Sequence, residues 1–240
     1  MSDIMHLAIL MTNTDDSAFA RHHPQDGEKF SDMIHLVRPD WTLEVFPVKD
    51  GVFPDSLARF DGAIITGSPA SVRSGARWIE QLLDLIRAMH AARLPLFGAC
   101  FGHQAIALAL GGTVGPNPGG LVHGLIRNET LARPIWARDL PDEVKLYGSH
   151  GEQVTSLPGG AIPLSRSEDC PVSGFALEHS VYTTQHHPEM TAAFIAALTE
   201  EMAEELGENL DLARASLSDP ADGQIFAESI ARFFEHAAAD

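Results

Sequence analysis

Leu94-Pro-Leu-Phe-Gly98-Ala-Cys100-Phe-Gly102-His-Gln104-Ala-Ile-Ala-Leu-Ala-Leu-Gly-Gly112 is the stretch from which the fold is read. Leu94 to Phe97 is a short apolar run of the kind that forms a buried strand, and it feeds Gly98. Phe101 to Leu110 is small and apolar, the texture of a buried helix, and Gly111-Gly112 stops it. A Gly-x-Cys-x-Gly turn between a strand and a helix is a nucleophile elbow. Its glycines allow a sharp bend and close backbone approach, and the bend lifts the Cys100 side chain clear of the sheet. The helix N-terminus behind Cys100 favours a thiolate, and the Phe101 N–H faces the site as an oxyanion donor. The blander alternative is a small buried cysteine at a strand end. Two flanking glycines at the break favour the nucleophile.

Outward from the elbow, short apolar runs alternate with amphipathic stretches. His6 to Met11, Trp41 to Val48 and Gly62 to Thr66 read as strands. Between them, Glu28 to Val37 reads as a helix. Ala76 to Ala92 spaces Ile79, Leu82, Leu83, Ile86 and Met89 at helical intervals. This alternation predicts βαβ units and a mostly parallel sheet. Asn13 to Gly27, rich in Asp, His and Pro, is expected to be a long polar loop of the lid or binding kind. From Val114 to Thr184 the strands shorten between Gly and Pro residues, predicting a mixed or antiparallel edge. Thr191 onward is helical. The acidic run Glu200 to Asp211 reads as a solvated helix face, and a last helix spans about Gly223 to Ala238.

A thiol nucleophile needs a base, and the base needs an orienting group. Thr184-Gln185-His186-His187-Pro188-Glu189 follows the last predicted strand. Residues two apart in extended chain share a face, so Glu189 can hold one ring nitrogen of His187 while the other meets Cys100. His150 and His186 raise a metal as a second option. No Cys-x-x-Cys or other zinc spacing supports it, and no metal or cofactor is expected.

The chain has 240 residues, enough for one large domain, and we expect residues 1–240 to form it. Acids outnumber bases 33 to 16, for a formal net charge of −17. That balance argues against nucleic acid or an anionic membrane as partner. Two cysteines, and a start with no basic-then-apolar leader, lead to the expectation of a cytoplasmic protein. Cys170, beside Glu168 and Asp169, is expected to be unreactive.

Gly98-Ala-Cys100-Phe-Gly-His-Gln104 and Gln185-His-His187-Pro-Glu189 together resemble the class I (triad) glutamine amidotransferases. Thr66-Gly67-Ser68-Pro69-Ala-Ser-Val72 looks like that family's Gly-Pro loop. Ser149-His150-Gly151-Glu152-Gln153-Val154 looks like the Ser-His-Gly-Asp-x-Val segment of GMP-synthetase glutaminase parts. The four motifs run in the family's order over about residues 61–190, with residues 191–240 as a helical extension. The resemblance is to the stand-alone GMP-synthetase-like members, a group that includes γ-glutamyl peptidases.

It implies a three-layer α/β/α sandwich around a mostly parallel, flavodoxin-like sheet. It further implies that Cys100 attacks a γ-glutamyl amide, giving a γ-glutamyl thioester, with His187 as base and Glu189 as orienter. Gly67 and Phe101 would supply the oxyanion N–H groups, while Gln104, Ser149, His150 and Gly151 would grip the glutamyl group. His186 stands where the family usually has an aromatic residue. Glu152 replaces an aspartate, and Val122-His123-Gly124-Leu125 stands where many members have Glu-Ile-Gly.

The expected function is hydrolysis of the γ-amide of glutamine or of a γ-glutamyl compound. Alternatives are a γ-glutamyl peptidase, or an ammonia-supplying component that serves a synthetase partner. A dienelactone-hydrolase-like enzyme would order its triad nucleophile, acid, histidine, whereas here the acid follows the histidine. A non-catalytic binding module would be expected to have lost part of the triad.

Overall fold

The structure is a computed structural model that describes residues 4–238. The first three residues, on which the expectation of a leaderless start partly rests, lie outside it. In chain order the first half runs β1 (His6–Met11), α1 (Ala18–Arg21), α2 (Asp26–Val37), β2 (Thr42–Pro47), β3 (Gly62–Ile65), α3 (Arg77–Ala91), β4 (Leu96–Ala99) and α4 (Phe101–Ala109). Seven strands follow: β5 (Thr113–Pro116), β6 (Val122–Thr130), β7 (Glu143–His150), β8 (Glu152–Ser156), β9 (Ile162–Arg166), β10 (Gly174–Leu177) and β11 (Val181–Thr184). The chain then closes with α5 (Ala192–Glu201), α6 (Ala203–Leu206), α7 (Leu210–Ser216) and α8 (Gly223–Ala237).

Nine strands form one sheet in the order β2-β1-β3-β4-β11-β10-β9-β6-β7, and β5 pairs with β8 in a separate ribbon. Pairing is parallel from β2 to β11, then antiparallel through β10, β9, β6 and β7. The antiparallel part is therefore a four-strand extension, larger than an edge. Long-range pairing decides this, and local periodicity does not report it.

Side chains alternate between two cores because successive strand residues point to opposite faces. Leu7, Ile9, Ile64 and Phe97 pack with Phe30 and Ile34 of α2 and Phe226, Ile230 and Phe233 of α8. Ala8, Leu10, Ala63 and Ile65 pack on the other face with Ile79, Leu82, Ile86 and Met89 of α3 and Ile106 of α4. Helices thus cover both faces of the parallel strands, which explains why β3 and β4 are buried at every position. No described helix is long and apolar enough to cross a membrane.

Two expectations change. The 13–27 segment is not all loop. Ser17 caps α1 by accepting from the Ala20 N–H at 3.1 Å, and α2 starts at Asp26 because Glu28 reaches back to the Gln25 N–H at 2.7 Å. The acidic run is not one solvated helix either. It breaks at Met202 and Gly207 into α5, α6 and α7, and part of it faces a cleft.

Candidate active site

Cys100 stands between β4 and α4 with φ 51° and ψ −107°, a backbone that L residues rarely adopt. Such a conformation costs of order 1–3 kcal/mol and persists only where neighbours enforce it. Here the Cys100 N–H donates to Thr184 O at 2.9 Å and the Gly102 N–H to Thr66 O at 3.1 Å. The glycines are required by contact. A Cβ on Gly102 would lie 2.3 Å from Ile65 O, and one on Gly98 2.7 Å from the Gly102 carbonyl.

His187 arrives from the far side. Its N–H donates to Tyr147 O of β7 at 2.7 Å, which pins the segment after β11 across the sheet. Its Nδ1 donates to Glu189 Oε1 at 2.7 Å, with both side chains buried. The ring and the Cys100 side chain converge beside Gly67, where an added Cβ would lie 2.8 Å from His187 Cε1 and 3.7 Å from Cys100 Cβ. Burial alone would push the His187 pKa down. The Glu189 carboxylate and the Cys100 sulfur outweigh it, and the pKa rises well above the ordinary value. Its surroundings therefore favour the protonated ring.

The other histidines nearby go the opposite way. Burial lowers His103 to about 3 and His150 and His123 to about 4, while His186 also falls well below its ordinary value. Those four favour the neutral ring, and His187 is the histidine here whose surroundings favour the proton. Among the described residues no group of three or more His, Cys, Asp or Glu is placed to hold a metal. Cys170 is buried, donates to Val172 O at 3.4 Å, and is pushed up to about 12. Burial is the first cause and the Asp169 charge a lesser one, so the expected acid effect is real but secondary.

Peptide orientation bears on one candidate, Gly67. Thr66 O accepts from Gly102, on the β4 side of β3. The peptide is trans, so the Gly67 N–H points away from the Gly102 N–H; Thr66 O also accepts from the Thr12 hydroxyl at 3.0 Å. Gly67 O in turn accepts from the Thr12 hydroxyl at 2.9 Å, so the Ser68 N–H, trans to it, points away from Thr12. Gly67 has another role. A Cβ there would sit 2.8 Å from His187 Cε1, so its bareness makes room for the imidazole. Phe101 opens α4, and its N–H is one of the unpaired donors of the first turn.

A cleft of about 610 Å³ opens over Cys100. Cys100, His187, Gly67, Ser68 and Ser149 line it. Gln104, His150 and Gly151 do not. Gln104 lies beneath, its Nε2 donating to Glu152 O at 2.8 Å and to Gln185 Oε1 at 3.2 Å. His150 is buried against Glu152 O and Asn117. Gly151 turns its carbonyl to the Asn117 N–H. These three brace the β7–β8 turn, and only Ser149 of that motif reaches the wall.

Sequence reasoning missed most of the wall: Phe19, His23 and Lys29 from one side, Met190, Phe194, Leu198 and Met202 from the other. The second set was available as a signal, because its members stand four residues apart. His123 was also overlooked as a support. It bridges Ser149 Oγ at 3.1 Å and Thr199 Oγ1 at 2.9 Å.

Comparison with known proteins agrees with the geometry. The family model of class-I glutamine amidotransferases matches residues 33–194. Gamma-glutamyl peptidase 3 of Arabidopsis thaliana is 32% identical over 154 residues, which cover 61% of this chain and 62% of that protein. The chain thus spans about three fifths of that relative. One subunit of the glutamine-hydrolyzing GMP synthase of Methanosarcina barkeri is 35% identical over 68% of this chain and 83% of its own. A solved glutamine amidotransferase from Methylobacillus flagellatus superposes with a TM-score of 0.73 at 25% identity, covering 99% of this chain and 94% of its own.

Proposed function

Because this chain belongs to the class-I glutamine amidotransferase family, we propose that it hydrolyses γ-glutamyl amides through Cys100, His187 and Glu189. The observation that carries this reading is the buried His187–Glu189 hydrogen bond of 2.7 Å, with the His187 ring and Cys100 side by side at the floor of the cleft. The Cys100 thiolate attacks the γ-carbonyl carbon. The oxyanion is held by the N–H groups of Ser68 and Phe101. His187 gives its proton to the departing nitrogen as the C–N bond breaks, leaving a γ-glutamyl thioester. His187 then takes a proton from water, which attacks the thioester and releases glutamate. Glu189 keeps the imidazole aligned throughout.

A leaving group larger than ammonia is favoured by the size of the cleft, which is in the range that holds a drug-sized ligand. γ-Glutamyl conjugates therefore come ahead of free glutamine, and ahead of an ammonia-supplying role for a synthetase partner. The test is a glutamine-like chloroketone followed by peptide mass mapping and a turnover panel of glutamine and γ-glutamyl amides. The expected adduct is on Cys100. An adduct on Cys170 with Cys100 free would overturn the assignment.

A further inference from the structure

His123 and Ser149 stand directly opposite each other in the register of β6 and β7, so their side chains leave the sheet on one face. Thr199 of α5 comes down onto the same pair. The His123 ring therefore spans two hydroxyls, with Nδ1 3.1 Å from Ser149 Oγ and Nε2 2.9 Å from Thr199 Oγ1. Burial, with the His187 charge second, lowers this ring to about 4. A neutral imidazole donates from one nitrogen and accepts at the other. The neighbours decide which is which.

Thr199 is buried, and its hydroxyl donates to Ile195 O at 2.8 Å, one turn back in α5. A carbonyl oxygen only accepts, so the single hydroxyl proton of Thr199 is spent there. Toward His123 the Thr199 oxygen can then only accept, which places the ring proton on Nε2. Nδ1 is left bare, and the Ser149 hydroxyl must donate to it. Met202 Sδ, 3.6 Å from Ser149 Oγ, is the other acceptor nearby, but a thioether is a weak one and the imidazole nitrogen takes the proton. Ser149 lines the cleft with Cys100 and His187, whereas His123 and Thr199 stand behind that wall. The cleft therefore meets a serine oxygen with lone pairs to offer and no proton to give.

We propose that His123 is a positioning residue that fixes the Ser149 hydroxyl as an acceptor, so that Ser149 takes the α-ammonium of the γ-glutamyl group and rejects its α-carboxylate. This rests on the γ-glutamyl hydrolase reading and assigns the polarity of one wall of that site. The His187 N–H pairs with Tyr147 O, and Ser149 lies two residues further along β7, about 7 Å at the rise of a strand. The α-carbon of a γ-glutamyl group stands three bonds from the carbonyl carbon that Cys100 attacks, so its ammonium and carboxylate are the groups within reach of Ser149. An ammonium brings three donors to the bare oxygen, and a carboxylate brings none. A serine without His123 behind it can turn its proton to serve either.

The experiment has two arms. Nitrogen NMR of the histidine rings, with the His123 signals assigned by their loss in His123→Gln, is expected to show the proton on Nε2 and a bare Nδ1. In Thr199→Val, which keeps the side-chain shape and removes the acceptor, the Nδ1-protonated form should appear. The kinetic arm compares a γ-glutamyl amide with the glutaryl amide, which lacks the α-ammonium, and the 4-aminobutanoyl amide, which lacks the α-carboxylate. Ser149→Ala should cost about tenfold or more in kcat/KM on the two substrates that carry the ammonium and leave the glutaryl amide within about twofold. Thr199→Val should narrow the preference for the 4-aminobutanoyl over the glutaryl amide several-fold, through KM more than kcat. A proton on Nδ1 in the unaltered protein, an equal or larger Ser149→Ala loss on the glutaryl amide, or a preference untouched by Thr199→Val overturns the proposal alone. No turnover of any of these amides by the unaltered protein overturns the hydrolase reading and the ammonium assignment with it, while the NMR arm still decides the direction of the hydrogen bonds.

Discussion

Cys100 keeps its positive φ because the residues around it leave no relaxed alternative. Gly98 and Gly102 are packed backbone to backbone, and Thr184 and Thr66 accept from both sides of the bend. The thiol is thereby aimed before any ligand arrives. Glu189 contributes differently, through the tautomer and charge of His187. Glu189→Gln should leave the fold intact and lower kcat by about a hundredfold or more, with KM within a fewfold, since an aligning group acts mainly on the transition state. Steady-state kinetics on a γ-glutamyl amide, with circular dichroism as the fold control, decides it. An effect confined to KM would contradict the orienting role. A second residue-level outcome concerns the 66–68 peptides. Replacing the Ser68 N–H by an ester oxygen should cost about a hundredfold in kcat, whereas the same change at Gly67 should cost little. The reverse ranking would restore Gly67 as donor.

Among the elements, those built from local pattern were legible in the sequence. The strand–elbow–helix at residues 94–110 and the buried stripe of α3 from Ile79 to Met89 follow from residue spacing alone. The wall opposite Cys100 was not legible, because it forms when α1 meets α5 across a long stretch of chain. Phe19 and His23 lie 5.8 and 5.4 Å from the Phe194 ring, centroid to centroid. The side-chain directions of Gln104 and His150 were equally hidden, since they follow from how β8 and Asn117 pack against them. Phe194→Ala removes the ring that Phe19, His23 and Lys29 share. It is expected to cost about 1–3 kcal/mol, below a fully buried Phe because the ring is partly exposed. Hydrogen exchange over residues 13–25 should speed up and KM rise several-fold. Unchanged exchange there would show that α1 is held by other contacts.

Taken as a whole, the molecule buries three neutral histidines, His103, His150 and His186, close to one protonated one. Their folded pKa values lie below the unfolded value of about 6.5. As pH falls through 6.5 the unfolded chain binds protons that the folded chain refuses, so stability must drop. His187, with its raised pKa, offsets this only slightly, because its own contribution grows until about pH 6.5 and is constant below that. Each refused proton gives a slope of about 1.4 kcal/mol per pH unit. Urea unfolding should therefore show a loss of a few kcal/mol between pH 7 and pH 5, before the carboxylates titrate. His186 supplies the control, because neither of its ring nitrogens has a hydrogen-bond partner among the described residues and its ring is fully buried. His186→Phe removes one refused proton and two unsatisfied nitrogens while keeping an aromatic ring in place. It should be neutral or stabilising by about 1 kcal/mol at pH 7 and should flatten the acid slope by one proton. If the slope is as steep in His186→Phe as in the parent, then His186 is not one of the groups that make the fold acid-sensitive, and the loss must come from elsewhere.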